Sequence, residues 1–77
     1  MTEMGAIAAN RRVGIVLNGQ PFETVACSLA ELVAGEQLEG QRIATALNGR
    51  FVPAAERATT ELGPGDRVEI VSPRQGG

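Results

Sequence analysis

Val13, Ile15 and Leu17 alternate with Arg12, Gly14 and Asn18, a period of two that places three branched side chains on one face of a strand. Asn18-Gly19 follows at once. This pair suits the two positive-φ positions of a type I′ turn, so a second strand is expected to run back from about Pro21 to Ala26. The pattern then changes period. Ser28-Leu29-Ala30-Glu31 has the serine and glutamate spacing of a capping box, and Leu29, Leu32 and Val33 fall on one side of the helix it opens. Gly35 is expected at or just before the helix end.

The second half repeats the opening device. Glu36 to Gln41 is a polar connection from which Leu38 is expected to drop into the core, and Arg42 to Leu47 reads as a third strand closed by Asn48-Gly49. Ile43, Thr45 and Leu47 would face the helix. Ala44 and Ala46 would then form a flat, small-residue patch on the other side, with Val71 as a candidate third member and a partner protein as the expected occupant. Phe51-Val52 continues as a short extended piece, Pro53 to Arg57 as a turn of helix, and Thr59 to Glu61 as a small edge strand anchored by Leu62. Gly63-Pro64-Gly65-Asp66 has proline and glycine at the second and third positions of a type II turn. In the strand that follows, Val68 and Ile70 alternate with Arg67 and Glu69.

One helix with one apolar side needs a sheet to lie on. Parallel pairing of the first and last strands would centre that sheet and give an α+β fold of the β-grasp type, a mixed sheet of four to five strands with the helix on one face. Residues 1–11 are expected to form a flexible leader, with Met1 or Met4 as the start, residues 12–72 the folded domain, and residues 73–77 a flexible tail. Cys27, at the strand-to-helix junction, is expected to pack inward.

Composition removes most other chemistry. A 77-residue chain is one small domain with no room for a cleft between lobes. It has no histidine and one cysteine, so neither a metal set nor a disulfide framework is expected. A net charge of −2 without a basic stripe argues against nucleic acid, and the leader lacks both the positive charge and the apolar run of an export signal. The expected setting is the cytoplasm, away from membranes. All seven basic residues are arginines, so no lysine amine is present to accept an isopeptide bond.

What remains is Ser72-Pro73-Arg74-Gln75-Gly76-Gly77. Glycine lets a main chain pass where a Cβ would collide, so the tail could thread a narrow channel and offer the α-carboxylate of Gly77 to a partner enzyme. Arg74 and Gln75 would sit at the channel mouth, Arg74 more readily as a solvated charge than as an ion-pair partner.

From Val13 to Gly77 the chain resembles the ubiquitin-like sulfur carrier proteins, most closely the ThiS type of thiamine thiazole biosynthesis. The resemblance rests on Leu17-Asn18-Gly19, on Ala46-Leu47-Asn48-Gly49 followed by Val52-Pro53, on Gly65-Asp66-Arg67-Val68-Glu69-Ile70-Val71, and on Gln75-Gly76-Gly77. Family members often carry an aromatic residue where this chain has Arg57. The resemblance implies a carrier without catalytic residues or cofactor of its own. An adenylating enzyme resembling ubiquitin-activating enzymes would use ATP and magnesium to activate Gly77, sulfur from a cysteine desulfurase system would give a thiocarboxylate, and thiazole synthase would consume it. Two alternatives stay open: a permanent subunit like the molybdopterin synthase small subunit, and a protein modifier joined through Gly77 to lysines of targets.

Overall fold

The computed structural model describes residues 12–72. The expected leader and tail, including Arg74, Gln75, Gly76 and Gly77, lie outside the described residues. Strand β1 (Val13–Leu17) turns through Asn18-Gly19 into β2 (Gln20–Thr24), with Leu17 opposite Gln20 and Val13 opposite Thr24. A two-residue turn fixes this register, which is why β2 starts one residue earlier than expected. It stops at Thr24, whose hydroxyl accepts a hydrogen bond from the Ala26 amide at 3.0 Å and bends the chain away.

Helix α1 (Leu29–Gly35) begins where the capping pattern places it. The Glu31 amide donates to Ser28 Oγ at 3.2 Å, while the Glu31 carboxylate accepts at 2.7 Å from the amide of Cys27, one residue ahead of the cap. The helix ends where expected. Gly35 is its last residue, and the left-handed position belongs to Gln37, φ +63°. The Leu38 and Gln37 amides return to the carbonyls of Val33 and Ala34, each at 3.0 Å, the paired bonds of a Schellman ending. Leu38 follows and packs against the core as expected.

Strands β3 (Ala44–Leu47) and β4 (Arg50–Val52) form the second hairpin, and β5 (Arg67–Val71) closes the sheet. The strand order is β2-β1-β5-β3-β4, with β5 parallel to β1 and antiparallel to β3. β3 is shorter than expected because the Ile43 carbonyl accepts from Arg57 Nη2 at 3.0 Å. Between β4 and β5 a 3₁₀ helix (Ala54–Thr59) takes most of the segment. The edge strand expected at residues 59–61 reduces to one isolated bridge, Ser28 to Glu61. Flanking bonds from Leu29 N to Thr60 O and from Leu62 N to Cys27 O tie this loop to the approach of α1, which satisfies its backbone without a sheet neighbour.

The core lies between α1 and one sheet face. Ile15, Leu29, Leu32, Val33, Val52, Val68 and Ile70 are buried, with Leu17, Phe22, Ile43, Leu47 and Leu62 packed around them. Thr45 is the buried polar residue, 1% exposed, and both functions of its hydroxyl are used. It donates to the Val52 carbonyl at 2.8 Å and accepts from Arg57 Nε at 3.0 Å. Arg57 thus ties the 3₁₀ helix to β3 through two polar contacts.

Candidate functional site

The expected reactive group lies in residues 73–77, outside the described residues, so the functional question is what holds β5, the strand that precedes them. β5 sits at the middle of the sheet, and its Val68 and Ile70 are buried under α1. The Gly63-Pro64-Gly65-Asp66 turn sets its start. Gly65 has φ +83° as the type II geometry requires, and Asp66 Oδ2 accepts from the Gly63 amide at 2.8 Å.

Both Asn-Gly turns reach β5. Asn18 and Asn48 each stand at φ +51°, and their side chains bond outward from the turns. Asn48 Oδ1 accepts from the Arg67 amide at 2.8 Å and its Nδ2 donates to Asp66 Oδ1 at 3.1 Å, at the start of β5. Asn18 Oδ1 accepts from the Ile70 amide at 2.8 Å and its Nδ2 donates to the Ile70 carbonyl at 3.1 Å, near the end. Sequence reasoning assigned both asparagines to the turns alone, because a side chain's partner 18 to 52 residues away leaves no trace in local pattern.

The candidate patch residues come together on the uncovered sheet face. Ala44 is opposite Val71 across the β3–β5 ladder, and Ala46 follows two residues along the same strand face. Val71 is 59% exposed and the two alanines are partly exposed. Phe51, 69% exposed, is opposite Ala46 and extends the apolar surface into β4. The sequence reading left Phe51 out of the patch. The signal for it was present: a two-residue turn at Asn48-Gly49 makes Leu47 face Arg50 and Ala46 face Phe51, so the parity was fixed by the same dipeptide that predicted the hairpin. Glu69, opposite Ala46 on the other side, adds a charge beside the apolar surface.

Cys27 does not pack inward; it is exposed. Its amide is held by Glu31 and its carbonyl by Leu62, so its backbone is satisfied at the surface, while the buried place next to it belongs to Leu29, 0% exposed. Among the described residues there is no group of three or more His, Cys, Asp or Glu arranged to hold a metal ion, and no helix long and apolar enough to cross a membrane.

A mixed five-stranded sheet carrying one main helix on a single face, with the C-terminal strand between the first and third, defines the β-grasp class. A crystal structure of a thiamine biosynthesis protein (ThiS) from Geobacter metallireducens has the same fold, with a TM-score of 0.70 at 20% identity over 78% of this chain and 93% of that one. The ThiS family model matches residues 15–77, and the chain belongs to the ThiS family, the small sulfur carriers. Comparison with curated proteins found no match.

Proposed function

We propose that this chain is a sulfur carrier whose reactive group is the α-carboxylate of Gly77, and that the sulfur it delivers goes to thiamine thiazole synthesis. The observation that carries the reading is the family match over residues 15–77, a span that includes Gln75-Gly76-Gly77. The Geobacter protein of the same fold, described as a thiamine biosynthesis protein, supports the choice of pathway.

A carboxylate at neutral pH is a poor electrophile. An oxygen of Gly77 attacks the α-phosphorus of ATP on an adenylating partner, pyrophosphate leaves, and the acyl carbon gains AMP as leaving group. The terminal sulfur of a persulfide, formed from cysteine by a desulfurase, then attacks the acyl carbon as AMP departs, and a second thiol cleaves the S–S bond of the resulting acyl disulfide, leaving a disulfide on the donor and a thiocarboxylate on Gly77. This is a stronger nucleophile than the oxygen acid, and thiazole synthase takes its sulfur. The catalytic groups, ATP and magnesium belong to the partners; the chain is not itself an enzyme.

The body supplies the grip. Ala44, Ala46, Val71 and Phe51 form the docking surface for the adenylating enzyme, placed on the sheet face that the helix leaves open. Arg74 and Gln75 lie at the mouth of the partner's channel, and Gly76 threads it.

Intact-mass analysis after incubation with ATP, magnesium, a sulfur donor and the adenylating enzyme tests this. Replacement of one terminal oxygen by sulfur is expected, and none in a chain ending at Gln75. An unchanged mass under conditions that load another carrier refutes the reading, as does restored thiazole formation in cells by the shortened chain.

A further inference from the structure

The backbone of β1 accompanies β5 only part of the way to the tail. The Val16 amide donates to the Asp66 carbonyl and the Asn18 amide to the Val68 carbonyl, each at 2.9 Å, and the paired register ends with Leu17 beside Val68. At Asn18 the main chain turns off into the hairpin, φ +51°. On its other side β5 stays paired with β3 as far as Val71. The next group of β5 that faces β1 is Ile70, and it has no β1 backbone to meet. Its amide and carbonyl are both taken by the side chain of Asn18, at 2.8 and 3.1 Å. A carboxamide has one acceptor and one donor side by side, the same pair a strand residue would present.

We propose that Asn18 is a positioning residue for the C-terminal tail: its carboxamide replaces the missing continuation of β1 and holds the end of β5 on that side while β3 holds it on the other, so that the chain leaves Val71 in one fixed direction. The role rests on the carrier reading given above, since a fixed exit matters because Gly77 must reach a partner's reaction centre while the body is docked. An acid side chain does not reproduce it. An ionised aspartate at this place accepts from the Ile70 amide and confronts the Ile70 carbonyl with a second acceptor.

Asn48 supplies the internal control. It stands at the same φ in the same Leu-Asn-Gly setting and also bonds β5 through its side chain, but at Arg67, the end away from the tail. Asn18→Gly and Asn48→Gly both keep a residue that accepts positive φ, and each deletes one side chain's bonds to β5 or its preceding turn. Two measurements on the full-length chain decide. The first is amide hydrogen exchange: Ile70 is expected to exchange at least about tenfold faster in Asn18→Gly than in Asn48→Gly, because each lost hydrogen bond is worth a factor of several. The second is steady-state adenylation by the partner enzyme below the melting temperature of both variants. Asn18→Gly is expected to lower kcat about tenfold with KM within about twofold, because the docking surface is untouched, and Asn48→Gly to leave both near the parent values. Equal effects of the two variants on kcat, a change confined to KM, or unaltered exchange at Ile70 overturns the proposal. If the parent chain is not adenylated at all, the carrier reading fails, and the exchange measurement still decides whether Asn18 holds the strand.

Discussion

The two faces of this sheet are written by the same strands and obey opposite rules. Toward α1, Ile15, Val52, Val68 and Ile70 meet Leu29, Leu32 and Val33, and even the polar Thr45 is closed off with its hydroxyl bonded at both lone pair and proton. One residue out of phase, Ala44, Ala46, Phe51 and Val71 carry apolar surface to solvent. Apolar residues appear on both faces, so hydrophobicity does not separate them. What separates them is size at the centre. The covered face is filled by branched chains that interlock with a helix, whereas the open face has alanines in β3, leaving a level surface that a partner can approach closely. A domain this small has one main helix with which to cover its sheet, and the other face stays open.

The contrast is sharpest in the cost of truncation. Leu32→Ala removes a side chain 2% exposed from the helix-to-sheet contact and is expected to cost about 2–5 kcal/mol, a large part of a small domain's stability. Chemical denaturation measures it. A loss under 1 kcal/mol would mean that α1 is not what holds the covered face together. A smaller effect probes the polar member of that face. Thr45→Val keeps the shape but removes the acceptor of Arg57 Nε and the hydroxyl bond that the Val52 carbonyl receives beside its ladder pairing, with an expected loss of about 1–3 kcal/mol. If Arg57→Met combined with Thr45→Val costs as much as the sum of the single changes, the two residues are not coupled and the hydroxyl is incidental. The smallest effect on stability belongs to the open face. Phe51→Ser is expected to leave stability within about 0.5 kcal/mol of the parent. The same change is expected to weaken binding to the adenylating enzyme by about tenfold or more, measured by calorimetry on the full-length chain. Strong destabilisation by Phe51→Ser would break the contrast from the other side.

Local pattern carried far in this chain because its elements are bounded by strong signals. Asn18-Gly19 and Asn48-Gly49 placed two hairpins, Ser28 with Glu31 placed the helix start, and Gly63-Pro64-Gly65 placed the turn into β5. Where signals were weaker, local reading missed. Gly35 ends the helix as expected, but local pattern did not show that the left-handed position falls to Gln37, because the Schellman bonds depend on where Leu38 can reach the core. Thr59 to Glu61 has strand-like residues, but Thr59 closes the 3₁₀ helix and Thr60 to Leu62 lie against the approach to α1 rather than along the sheet, so a single bridge is all that forms. Cys27 looked like core from its place at a junction, and Leu29 took that volume instead. Arg57, which stands where the family often has an aromatic residue, turned out to bridge the 3₁₀ helix to Ile43 and Thr45.

By itself the sequence determined the order of the elements, the alternation that makes one sheet face apolar, and the chemical poverty that leaves a main-chain carboxylate as the candidate reactive group. These are properties of neighbouring residues, and turn geometry, capping and period are all set within a few positions. Only the tertiary structure decided that Phe51 joins Ala44, Ala46 and Val71, and that Asn18 reaches across to Ile70 while Asn48 holds Arg67. Identical Leu-Asn-Gly segments cannot announce different partners, because a side chain's hydrogen bond depends on which strand the fold lays beside it.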